Sequence, residues 1–188
     1  MRHPAQASDR EHTFRSLYEV VYPDLVRFVQ RRAHPDHAED VVADAFLVVW
    51  RRLDELPRRH EDARAWTFGI ARNLLLNAHR GEQRRVALGV RLADAAALVP
   101  LGDDADAIVS RVDLARAWRM LSEVHQEALG LAVFEDLDAP RAAAVLGISP
   151  VAFRLRLSRA RRALRTLLEH LPRPSRTHAA PLGRTTAP

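Results

Sequence analysis

Ala139-Pro-Arg-Ala-Ala-Ala-Val-Leu146, then Gly147-Ile148-Ser149-Pro150, then Val151-Ala-Phe-Arg-Leu-Arg-Leu-Ser-Arg-Ala-Arg-Arg-Ala-Leu-Arg165 read as a short apolar helix, a tight turn and a second helix. The second helix carries Arg154, Arg156, Arg159, Arg161, Arg162 and Arg165 with no Asp or Glu among them. Gly147 takes the left-handed conformation that ends a helix without steric penalty. Ser149 is a natural cap for the helix that follows, and Pro150 at its first position needs no amide partner. A helix-turn-helix of this kind lays its second helix in the DNA major groove. Helical periodicity places Phe153, Leu157 and Ala160 toward a core, and Arg154, Arg161, Arg162 and Arg165 on one broad stripe from which Arg156 and Arg159 diverge.

The whole chain has 188 residues, with 29 basic residues, 24 acidic ones and a net charge of +5. All 29 basic residues are arginine, which points to a GC-rich coding sequence. A modest net charge with one local arginine cluster directs a nucleic-acid partner to one part of the chain. With no cysteine, disulfides, thiol redox switching and cysteine-ligated zinc are excluded. No apolar run approaches the ~20 residues of a membrane span, and the first ten residues lack the apolar core of a signal peptide. A cytoplasmic protein without membrane insertion is expected.

The remainder of the sequence reads as helices. Phe14, Leu17, Val21, Leu25 and Phe28 recur at three- and four-residue steps, with Pro23 a possible kink. His34-Pro35-Asp36 is a turn with Asp36 as the expected cap, and residues 36–56 form one long helix. A polar loop at 57–62 leads into a helix at 63–79, ended by Gly81. Residues 108–121 are helical again, and Ser122 caps a helix running to about Phe134. The fold class is all-α: two small helical domains joined by a flexible linker. The expected boundaries are a flexible N-terminus at 1–12, a first domain at 13–85, a linker at 86–110, a second domain at 111–171 and a disordered tail at 172–188.

Two blocks carry a family resemblance. Asp40 and Asp44 stand one turn apart, as do Phe46 and Trp50, within Glu39-Asp-Val-Val-Ala-Asp-Ala-Phe-Leu-Val-Val-Trp50. Arg64-Ala-Trp-Thr-Phe-Gly-Ile-Ala-Arg-Asn-Leu-Leu-Leu-Asn-Ala-His-Arg80 follows. This pair resembles region 2 of the extracytoplasmic-function (ECF) group of the sigma-70 family, and Leu146-Gly-Ile-Ser149 with the basic helix resembles region 4. The resemblance covers residues 13–168. It implies an alternative sigma factor: a non-enzymatic subunit, without cofactor, that binds core RNA polymerase, recognises promoter DNA and melts it.

The resemblance also distributes roles. Core docking on the clamp of the largest subunit falls to Asp40, Asp44, Leu47, Val48 and Arg51, although the two carboxylates read equally as a solvated helix face. Region 4 would meet the flap of the second-largest subunit. Contact with the −10 element falls to Arg58, Arg59, His60, Arg64, Trp66, Arg72, Asn77 and Arg80, where a flipped base needs compensation for lost stacking. Trp66, Phe46 and Trp50 read first as core. Contact with the −35 element falls to Arg154, Leu155, Ser158 and Arg159 at base edges and to Arg141, Arg156 and Arg161 at phosphates. Ala43, Ala152 and Leu155 depart from residues common in relatives. The acidic run Asp103-Asp104-Ala105-Asp106 is either a solvated tether or a mimic of nucleic acid in the polymerase channel. An anti-sigma partner that clamps the two domains is expected, as is a free monomer. The alternative is a stand-alone helix-turn-helix regulator of duplex DNA. His34 and His37 lack a third ligand, so no metal site is expected.

Overall fold

The computed structural model describes residues 4–78, 88–91 and 105–170, with side chains from residue 8 onward and, after the second gap, from residue 111. Among the described residues there are seven α-helices, one 3-10 turn and no strand. Helix α1 (Pro4–Gln30) runs through Pro23 and buries Val21, Leu25, Phe28 and Val29. Its start at Pro4 puts helix where a flexible N-terminus was expected; Arg10 bonds to Asp54 and to the Trp50 carbonyl, tying this extension to the end of α2.

Helix α2 (Pro35–Arg51) begins one residue earlier than expected, with His34 at the cap position and Pro35 in the first turn. Asp36 therefore lies inside the helix, and its carboxylate faces the helix dipole from the first turn rather than capping it. Ala38, Val42, Ala45, Phe46 and Val49 form its buried stripe. The helix stops at Arg51, before a 3-10 turn (Leu53–Glu55), so the single long helix to residue 56 is broken. Helix α3 (His60–Ala78) then crosses α1 and α2, with Phe68 stacked on Phe28 at 4.7 Å between centroids.

Helices α4 (Ala105–Met120), α5 (Glu123–Val133), α6 (Ala139–Leu146) and α7 (Pro150–His170) form the second block. Ser122 caps α5 as expected, its Oγ accepting from the His125 N–H at 3.4 Å. Asp138 caps α6 through the Arg141 N–H at 3.0 Å. Gly147 sits at φ 65° and ψ 34°, and Ser149 Oγ accepts from the Ala152 N–H at 3.2 Å. The helix-turn-helix thus has the turn that its sequence prescribes.

The two blocks pack against each other. One apolar core runs from Leu17, Leu25, Phe28 and Phe68 through Leu131, Val145 and Leu146 to Phe153. Helix α3 lies against α6 so closely that the Cβ position on Gly69 is 3.8 Å from Val145 Cα. The expected linker also takes part. Val90 donates its N–H to Gln126 Oε1 at 3.0 Å and accepts from Trp118 Nε1 at 2.6 Å. Arg91 donates from its backbone to the Arg31 carbonyl and from its guanidinium to the Gln30 carbonyl. Leu88 and Val90 are buried, so this stretch bolts the blocks together. Residues 105–110, also assigned to the linker, are the start of α4. The run 103–106 lies largely outside the described residues, as does the tail at 172–188.

Candidate nucleic-acid interface

Helix α7 buries Phe153 and Ala160 and half-buries Leu157, which leaves its opposite face free. Arg154, Ser158, Arg161, Arg162 and Arg165 line one shallow groove of about 350 Å³ on that face. Leu155 is 51% exposed, and Arg159 is exposed beside it. Arg156 is half-buried at the margin. Among the described residues, no carboxylate lies in this groove. A row of guanidinium groups on an exposed helix suits a duplex: phosphates attract the charge, and a guanidinium pairs bidentately with guanine.

On α2, Asp40, Asp44, Leu47 and Arg51 are exposed and Val48 is half-buried. Of these, Leu47 lines an open groove of about 740 Å³ formed with α1, together with Phe14, Tyr18, Phe46 and Trp50 and the charged Glu11 and Arg15. Phe46 is core as expected. Trp50, read first as core, is instead 37% exposed and forms the groove wall, edge-on to Phe14 at 5.2 Å. Ala43 lines the groove too, where a longer side chain would narrow it. An apolar groove on the same helix as the exposed Asp40 and Asp44 suits a protein partner with an apolar, basic surface.

The third group, on and before α3, divides. Arg58, Arg59, His60 and Asn77 are exposed. Trp66 is half-buried, with the Arg52 guanidinium 5.6 Å from its ring. Arg80 lies outside the described residues. The other two arginines are engaged. Arg64 donates to Asp24 Oδ2 at 2.6 Å and to the Glu135 carbonyl at 2.8 Å. Arg72 is only 6% exposed, and its guanidinium pairs with both carboxylate oxygens of Glu127, at 2.7 and 3.1 Å. Arg141 of α6 reaches back to Glu61 at 2.7 Å and Asp62 at 2.8 Å, besides Asp138 on its own helix. The hydrogen bond to Asp62 leads the effects that raise the Arg141 pKa. Of these three arginines Arg72 is buried, while Arg64 and Arg141 are half-buried and held in ion pairs.

Sequence reading did not single out Arg31, Arg32, Glu127 or Glu135. Arg32 is buried, pairs with Glu135 at 3.0 Å and stacks 3.7 Å from the Phe28 ring centroid. Burial lowers its pKa, opposed by Glu135. The pattern offered one clue: Arg32 falls four residues after Phe28, at the next step of the apolar spacing of α1. Among the described residues, no group of three or more His, Cys, Asp or Glu could hold a metal ion, and no helix is long and apolar enough to cross a membrane.

Residues 17–85 match the family model for sigma-70 region 2, and residues 111–164 match that for sigma-70 region 4. The chain is 32% identical over 142 residues to the RNA polymerase sigma factor CnrH of Cupriavidus metallidurans, covering 70% of this chain and 73% of that one. It is 28% identical over 158 residues to the ECF RNA polymerase sigma factor SigL of Mycobacterium tuberculosis, covering 84% and 89%. The chain belongs to the ECF group of the sigma-70 family. This sigma factor also resembles, at a TM-score of 0.59 and 27% identity, the Bartonella quintana sigma factor RpoE solved with the anti-sigma factor NepR, over 85% of this chain and 98% of that one. Its similarity to CnrH solved with the cytosolic domain of CnrY has a TM-score of 0.55 at 25% identity, over 87% and 96%. It is an alternative sigma factor acting in transcription initiation, and the stand-alone regulator is not favoured. Sigma factors are regulatory subunits.

Proposed function

We propose that this sigma factor divides its work among the three surfaces just described. Residues 13–85 dock on core RNA polymerase and act at the −10 element. Docking uses Asp40, Asp44, Leu47, Val48 and Arg51 together with the aromatic groove against the clamp of the largest subunit. Arg58, Arg59, His60, Trp66 and Asn77 meet the −10 strand from exposed or half-buried positions, and Arg64, Arg72 and Arg80 join them in the promoter complex. Residues 111–171 meet the −35 element and the flap of the second-largest subunit. There Arg154, Leu155, Ser158 and Arg159 approach base edges, while Arg141, Arg156 and Arg161 neutralise phosphates. Residues 86–110 connect the two blocks, between a short N-terminal segment and a tail at 172–188.

The observation that carries this reading is the pairing of two different open surfaces on one chain: an apolar groove on α2, a helix that also exposes Asp40 and Asp44, and a carboxylate-free arginine groove on α7. A duplex-only regulator has no use for the first. The chain itself performs no bond chemistry, and its site of action is the bacterial cytoplasm, where the polymerase works. The relatives solved with NepR and CnrY support an anti-sigma partner for this chain as well. Co-elution with core RNA polymerase tests the reading. Purified chain and core should form a complex before any DNA is added. Tight binding to promoter duplex with no association to core would instead favour the stand-alone regulator.

A further inference from the structure

We propose that helix α7 reads thymine through its methyl group, with Val151 and Leu155 as the reading pair. This rests on the reading that α7 enters the major groove at the −35 element. Val151 is 70% exposed and Leu155 51% exposed, although both are apolar. Single exposed apolar side chains are ordinary, but these two stand four residues apart and are neighbours on one helix face. At about 100° per residue, each lies about 160° around the helix from the buried Phe153, and the two lie within about 40° of each other. The pair therefore points away from the core, in the half of the helix that docking brings to base edges. Exposed Arg154 and Arg159 flank it on opposite sides.

Along Pro150-Val-Ala-Phe-Arg-Leu155, the start of α7, Arg154 alone carries charge. The nearby Ser149 Oγ accepts the Ala152 N–H at 3.2 Å, so this hydroxyl serves the helix cap. Val151 and Leu155 also lie outside the arginine groove, which runs from Arg154 to Arg165. The tip of the helix thus offers base pairs two branched apolar groups beside one guanidinium. In the major groove thymine presents a C5-methyl, whereas cytosine presents its N4 amino donor. A branched aliphatic side chain gains by burying that methyl. Against cytosine it gains less and covers a donor that it cannot satisfy. The charge beside the pair decides what covers it: arginines on both flanks favour a groove walled by phosphates over the apolar surface of another protein. Side chains at this spacing are ~5–6 Å apart and base pairs rise ~3.4 Å, so the two methyls lie one or two base-pair steps apart.

The test uses holoenzyme, assembled from purified core RNA polymerase and the full chain, on a promoter fragment at which initiation depends on the chain. Each thymine of the −35 element, on either strand, is replaced in turn by deoxyuridine, which removes the methyl and nothing else. Two positions, one or two steps apart, should each lower promoter affinity about fourfold, the worth of one buried methyl group. Leu155→Ala should weaken binding to the thymine promoter and remove most of the deoxyuridine effect at one of these positions; Val151→Ala should do the same at the other. Both side chains are exposed and alanine favours a helix, so the variants keep the fold, which helix content and core affinity check. Arg165→Ala, the control, should lower affinity and leave both deoxyuridine effects intact. A promoter that fires with the chain yet shows no deoxyuridine effect, or an effect that persists in both alanine variants, would overturn the proposal and leave the sigma reading standing. Alanine variants that lose core affinity instead would assign this face to the polymerase and overturn it as well. Absence of any initiation that depends on the chain would overturn the proposal and the reading beneath it together.

Discussion

At the scale of single residues, the strongest sequence signals were those in which local backbone chemistry leaves little choice. Gly147 has φ 65°, and nothing lies within 4 Å of where its Cβ would be. Substitution there introduces backbone strain without a clash. Gly147→Val should therefore destabilise the fold by about 1–2 kcal/mol, read as a lower denaturant midpoint with an unchanged slope. An unchanged midpoint would mean that the turn relaxes into another conformation. Arg154 tests the DNA face. Its replacement by alanine should weaken binding to the cognate −35 duplex by about 1–3 kcal/mol, roughly 5- to 150-fold, and should lower the preference over a scrambled duplex. Arg165→Ala, at the helix end, should weaken both duplexes alike and reduce the salt dependence. If Arg154→Ala also affected both equally, its role would be restricted to phosphate.

At the scale of elements, most helices could be read from caps and apolar spacing. Ser122, Gly147 and Ser149 each act where their chemistry requires. Asp36 was misplaced because Pro35 can itself begin a helix, which moves the cap back to His34. Val90 was missed for a different reason. A short stretch outside any helix has no periodicity to detect, and the bonds that hold Val90 come from Gln126 and Trp118, distant in sequence. Arg72 shows the limit most plainly. Its helix position suggested a phosphate contact, but its partner Glu127 lies 55 residues away, and no local pattern announces a pair of that kind. Helix α2 provides the element-scale prediction. Leu47 is 52% exposed, so Leu47→Asp should leave the helix content intact. Combined with Asp40→Ala and Asp44→Ala, it should weaken core binding by about tenfold or more, the loss of one central apolar contact and its charged rim. Retained core affinity, measured by titration, would move the docking face elsewhere.

At the scale of the whole molecule, the sequence indicated two blocks and the structure adds how they are joined. Apolar residues of α1, α3, α5 and α6 share one core, and ion pairs such as Arg72–Glu127 and Arg141–Asp62 join the blocks. The decisive measurement is transcription by purified core RNA polymerase, with and without this chain, on fragments of the source genome. Discrete starts that depend on the chain, sharing two upstream sequence elements, are the predicted result. Initiation that is the same with and without the chain, despite a stable complex with core, would contradict the account.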